Sequence, residues 1–137
     1  MIEVLTFAIG KPDYDKEYMI SYNGEICYAE ILDTSDNLST KKIKAEDFEK
    51  KILPFEQIGI YKWRKDYYVE PKDFKDNDIS WVLQYKEVGK RCRSISGYGK
   101  FPDGWEEFLK AINNVFPSFK YKEYIYYKEL TSLLPGI

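Results

Sequence analysis

Apolar and polar residues alternate in short runs along most of this chain, and they adopt a helical spacing in only a few places. Ile2, Val4, Leu5, Phe7 and Ile9 form an opening run that closes at Gly10-Lys11-Pro12-Asp13, which reads as a strand and a turn. Asn23-Gly24 then separates Tyr18-Met19-Ile20-Ser21-Tyr22 from Glu25-Ile26-Cys27-Tyr28-Ala29. Asn-Gly supplies two positive-φ residues, so the pattern predicts a two-residue hairpin that sets Tyr22 opposite Glu25, Ile20 opposite Cys27 and Met19 opposite Tyr28. Residues 33–42 are polar and read as an exposed loop. Lys44 to Leu53 has Phe48 and Ile52 on one helical side, with Pro54 expected to end the helix. Residues 57–69 return to strand character, and residues 70–78 form a charged turn.

The clearest alternation is Ile79, Trp81, Leu83 and Tyr85 against Ser80, Val82, Gln84 and Lys86. A turn at Gly89 leads to a returning strand from Arg91 to Ser96, and Gly97 to Pro102 read as a loop. Trp105, Phe108, Leu109, Ile112 and Phe116 then share one helical face. Asp103 stands at the N-cap position, with Glu106 placed to complete a capping box, and Pro117 closes the helix. Residues 119–127 are rich in Tyr and Phe and fit a final strand, followed by a helical turn from Leu130 to Leu134. These elements predict an α+β fold over a single domain, residues 1–137: a mostly antiparallel, twisted sheet of about six strands, with one main amphipathic helix (103–116) packed on one face and one or two short helices.

Composition narrows the chemistry. A chain of 137 residues buries enough surface to fold without metal or disulfide staples. It has 13 Tyr, 8 Phe and 3 Trp, a content that suits half-buried sheet faces and also tyrosine-lined binding faces. The net charge of −2 provides no global field to hold nucleic acid. No stretch reaches the apolar length of a membrane span, and Met1-Ile2-Glu3-Val4-Leu5 lacks the basic start of an export signal, so the expected location is the cytoplasm. Cys27 and Cys92 are expected to be buried free thiols.

The absence of histidine removes Ser-His-Asp and Cys-His catalysis and most catalytic zinc or iron sites. Asp73, Asp76 and Asp78 lack the central glycine and closing glutamate of a calcium loop, so no metal site is expected. Gly97-Tyr98-Gly99-Lys100 precedes a helix but lacks the Gly-Lys-Ser/Thr ending of a phosphate loop, and no cofactor is expected. No residue is assigned a catalytic role.

Two clusters mix cations with aromatic rings. One holds Arg91, Arg93, Tyr98 and Lys100, and the other holds Trp63, Arg64 and Tyr67. Such mixtures serve single-stranded nucleic acid, with charge for the backbone and rings for the bases. They also serve protein contacts, where Trp, Tyr and Arg carry most binding energy, and edge-protecting cations at a hairpin end look the same. The run Trp81-Val82-Leu83, Ser96-Gly97 and Phe101-Pro102-Asp103-Gly104-Trp105 with Phe108 resembles a pattern in small bacterial and phage-borne α+β proteins. In these a hairpin leads through a glycine-and-proline loop into a helix with an aromatic start. The resemblance covers about a quarter of the chain. It implies a binding role, in the manner of immunity or antitoxin-like proteins, and carries no site residues. The sequence therefore points first to a non-catalytic protein that binds another protein, and second to single-stranded nucleic-acid or nucleotide binding through Arg91, Arg93, Tyr98 and Lys100.

Overall fold

A computed structural model describes residues 1–33, 37–75 and 78–125. Seven strands run in chain order: β1 Ile2–Gly10, β2 Tyr14–Tyr22, β3 Cys27–Asp33, β4 Leu38–Ile43, β5 Asp66–Tyr68, β6 Ser80–Glu87 and β7 Arg93–Tyr98. They form one sheet of order β4-β3-β2-β1-β6-β7-β5. Every pairing is antiparallel except that of β5 with β7. Among the described residues, two α-helices, α1 Ala45–Ile58 and α2 Trp105–Val115, join the sheet in an α+β fold.

Both helices cover the same face of the sheet. That face is built from the apolar partners Phe7, Ile20, Leu83 and Ile95, each with no exposed surface. Phe108 of α2 sits at its centre, with ring centroids 4.9 Å from Phe7, 5.5 Å from Phe55 of α1 and 5.2 Å from Trp63. Trp105 packs on Trp81 at 4.9 Å. Each indole N–H also ties down a loop, with Trp63 donating to the Asp103 carbonyl, Trp81 to Lys100 and Trp105 to Tyr124. Burying these large rings while satisfying their one polar atom gives both apolar energy and a fixed loop geometry.

Several sequence expectations need correction. The hairpin has a four-residue loop: Asn23 Oδ1 accepts the amides of Glu25 and Ile26 at 3.0 Å, and Tyr22 pairs with Cys27. The asparagine side chain caps the turn in place of a tight type I′ bend. The register moves by two residues, an even shift, so the expected faces survive. Part of the expected loop 33–42 is instead the edge strand β4, while residues 34–36 lie outside the described residues.

Helix α1 continues through Pro54 to Ile58, because Phe48, Ile52 and Phe55 form one buried stripe whose packing outweighs the lost amide. It is longer than α2, which had been expected to be the main helix. The expected strand over 57–69 reduces to the three residues of β5, preceded by a 3-10 turn at Ile60–Lys62. Gly97 and Tyr98 belong to β7 rather than to a loop, and Arg91 and Cys92 precede that strand. No side chain caps α2, whose first turn starts from Gly104 at φ 83°, so the capping box of Asp103 and Glu106 does not form. The expected final strand is a 3-10 turn at Tyr121–Tyr124 where it is described, and the helical turn from Leu130 to Leu134 lies outside the described residues. Cys27 is buried, but Cys92 is exposed.

Candidate binding face

The mixed clusters singled out in the sequence do not form one surface. In β7, strand alternation turns Arg93, Ile95 and Gly97 to the helix face and Ser94, Ser96 and Tyr98 to the opposite face. Arg93 is drawn inward. Its guanidinium donates to the carbonyl oxygens of Tyr61 (2.6 Å), Ile60 (3.3 Å) and Trp63, and to the Tyr85 hydroxyl (3.2 Å). It thereby satisfies carbonyls of the turn that follows α1. Trp63 is buried in the core. Tyr67 is buried too, and its hydroxyl accepts the Arg64 amide at 2.9 Å. The exposed Arg64 guanidinium lies 4.7 Å above the Tyr67 ring. Arg91 and Lys100 are exposed. Tyr98 is half-buried, donates to the Lys75 carbonyl at 2.9 Å and packs its ring 5.0 Å from Phe74.

Among the described residues, neither α1 nor α2 covers the second face of the sheet. One row of partners crosses that face through Tyr14, Gly10, Ser80, Tyr98 and Tyr68. The next row holds Leu38, Leu32, Glu17, Ala8, Val82, Ser96 and Asp66. Antiparallel sheets with one solvated face ordinarily carry polar residues there. Here Tyr14 is 44% exposed, Tyr68 50%, Leu32 38% and Leu38 59%, with Phe74 at 52% beside Tyr98. The Tyr68 hydroxyl lies 2.6 Å from Ser96 Oγ, which fixes its ring along the face. Partial burial pushes the Tyr14 phenol above its ordinary value, and the Tyr68 phenol adds to the shift.

A cleft of about 510 Å³ between Phe74, Val69, Lys72, Lys75, Asp78 and Gly99 adjoins this end of the sheet. Charge on the face is mixed, with Glu17, Glu30 and Asp66 beside Lys42 and Lys86, and Lys86 is paired to Glu3. Sequence reasoning missed this face. Its signal was available, since Leu32 and Tyr68 occupy strand positions that alternate with the partly buried Ile31 and the buried Tyr67, but the two lie at opposite sides of a sheet whose strand order the sequence does not give.

Among the described residues, no three Cys, Asp or Glu side chains converge as a metal site would need, and no helix is long and apolar enough to cross a membrane. Compared with protein-family models, curated proteins and solved structures, the chain matches none of them.

Proposed function

We propose that this chain is a non-catalytic binding module that docks another protein on the uncovered face of its sheet, in the manner of an immunity protein or a phage-encoded inhibitor. The observation that carries this reading is the set Tyr14, Tyr68, Phe74, Leu32 and Leu38, all exposed on that face or at its end. Exposed apolar surface in water is costly, and a partner that spans the face from the Leu32 side to the Tyr68 side recovers the hydrophobic energy. Tyrosine suits such a surface because its ring packs while its hydroxyl accepts either water or a partner.

The runner-up, single-stranded nucleic-acid binding, needs cations beside stacking rings. Lys100 remains exposed two residues from Tyr98, which favours it, whereas the exposed Arg91 precedes β7 at the opposite end of the strand from Tyr98. Against it, Arg93 is spent on backbone carbonyls, and the face carries Glu17, Glu30 and Asp66. A face of both signs suits a protein partner and repels a polyanion.

The test is affinity capture from the native host with three folded baits: the wild type, a Leu32→Ser/Tyr68→Ser variant and an Arg91→Ala/Lys100→Ala variant. The reading expects one stoichiometric protein partner, retained by the arginine-lysine variant and lost by the face variant. Capture of oligonucleotides that depends on Arg91 and Lys100 sinks it in favour of the runner-up.

A further inference from the structure

We propose that the outer edge of β4 accepts an extended acidic segment of the partner protein as an added strand. This rests on the protein-binding reading above and specifies the chemistry of the partner. Strand β4 ends the sheet, and it pairs with β3 one-for-one from Cys27↔Ile43 to Leu32↔Leu38 without a register shift. Among the described residues no strand lies along its other edge. Residues 38–42 are all exposed, and the strand contains no proline or bulge to close the edge. An unshifted strand of this kind presents a row of unpaired amides and carbonyls, which is what strand addition requires.

Charge selects the occupant. Lys41, Lys42 and Lys44 make no ion pair among the described residues. An antiparallel second copy centred on Lys41 sets that lysine against itself, and one centred on Lys42 does the same there. Centring on Thr40 sets Lys42 against Leu38 and leaves every lysine without an anion. Like charges directly opposite destabilise a ladder and opposite charges stabilise it. The edge therefore disfavours its own copy and favours a strand with acidic residues opposite Lys41 and Lys42. Because Lys42, Thr40 and Leu38 lie on the uncovered face, the added strand extends that face. An antiparallel segment that begins Glu-Glu and carries an apolar residue three positions after the second glutamate meets Lys42, Lys41 and Leu38 in turn.

The probe is a capped, fluorescein-labelled peptide containing Glu-Glu-Thr-Val-Leu, titrated by anisotropy at low salt against the full chain. A second peptide is N-methylated at alternate residues, and a third carries Lys-Lys in place of Glu-Glu. Saturable binding is expected for the first peptide and none for the N-methylated one. A Lys41→Gln/Lys42→Gln variant should bind roughly two- to thirtyfold more weakly. A Lys41→Glu/Lys42→Glu variant should exchange its preference to the lysine peptide. No binding of the first peptide, or equal binding of the N-methylated one, overturns the proposal and leaves the lysines as edge protection alone. Tyr68→Ser separates the two readings: peptide binding should persist in it while capture of the host partner is lost. Failure of the peptide with capture intact removes only the strand-addition proposal, and the reverse outcome removes only the docking face.

Discussion

Trp81 and Gly97 face each other across paired strands, and a β-carbon at Gly97 would lie 2.4 Å from the Trp81 indole nitrogen. The same carbon would lie 2.7 Å from the Tyr67 carbonyl oxygen. The missing side chain is what lets the indole lie flat over β7 and donate to the Lys100 carbonyl at 3.1 Å. Gly97→Ala therefore forces either the indole or β5 to shift. Overpacking of this kind costs roughly 1–3 kcal/mol, so thermal denaturation should show a clear drop in Tm. An alanine variant as stable as the wild type contradicts this packing.

Phe108 joins both helices to the sheet, with no exposed surface and ring contacts to Phe7, Phe55 and Trp63. Phe108→Ala should cost about 3–5 kcal/mol in chemical denaturation. A loss under about 1 kcal/mol is too small for a ring buried against both layers and would place α2 loosely on the sheet.

Arg93 and Arg91 stand two residues apart and should behave in opposite ways. Removing the Arg93 guanidinium leaves the carbonyls of Tyr61 and Trp63 without that donor, while Arg91 is exposed before the strand. Arg93→Ala should destabilise by about 2–3 kcal/mol and Arg91→Ala by less than about 0.5 kcal/mol. Equal effects in urea titrations would mean that Arg93 does not anchor the turn after α1.

The two thiols differ in the same sense. Cys92 should react with a thiol reagent in the native protein, while Cys27 should react only as the fold opens. Burial, and then the Glu49 carboxylate, push the Cys27 thiol above its ordinary 9.0. The fold favours its neutral form, so this contribution is full below about pH 9 and is lost as pH rises through the raised value. Cys27→Ala should flatten the stability curve above about pH 9. An unchanged alkaline limb counts against a protected thiol.

What the sequence makes legible follows from which force dominates locally. Strand β6 is readable because one buried face imposes alternation, with Trp81, Leu83 and Tyr85 against Val82, Gln84 and Lys86, and β1 because its short apolar run is buried nearly throughout from Phe7 to Gly10. Strand β4 is not readable, because Leu38-Ser39-Thr40-Lys41-Lys42-Ile43 borrows its ladder from β3 and buries almost nothing. Pro54 signals an end to α1 that Phe55 overrides by packing on Phe108. Arg93 looks like a surface cation until Trp63 and its turn are folded over it. The face residues are each visible in the sequence, but Tyr14 and Tyr68 fall in one row of the face only through the order β2-β1-β6-β7-β5, which no local pattern encodes.

Site-specific photo-crosslinking tests the docking face most directly. A photoreactive phenylalanine placed singly at Tyr68, Leu32, Tyr61 or Leu53 samples exposed positions on different sides of the molecule. With the host lysate present, the account predicts one crosslinked protein species from positions 68 and 32 and none from positions 61 and 53. Crosslinks to that species from position 53 or 61, with positions 68 and 32 silent, would contradict it.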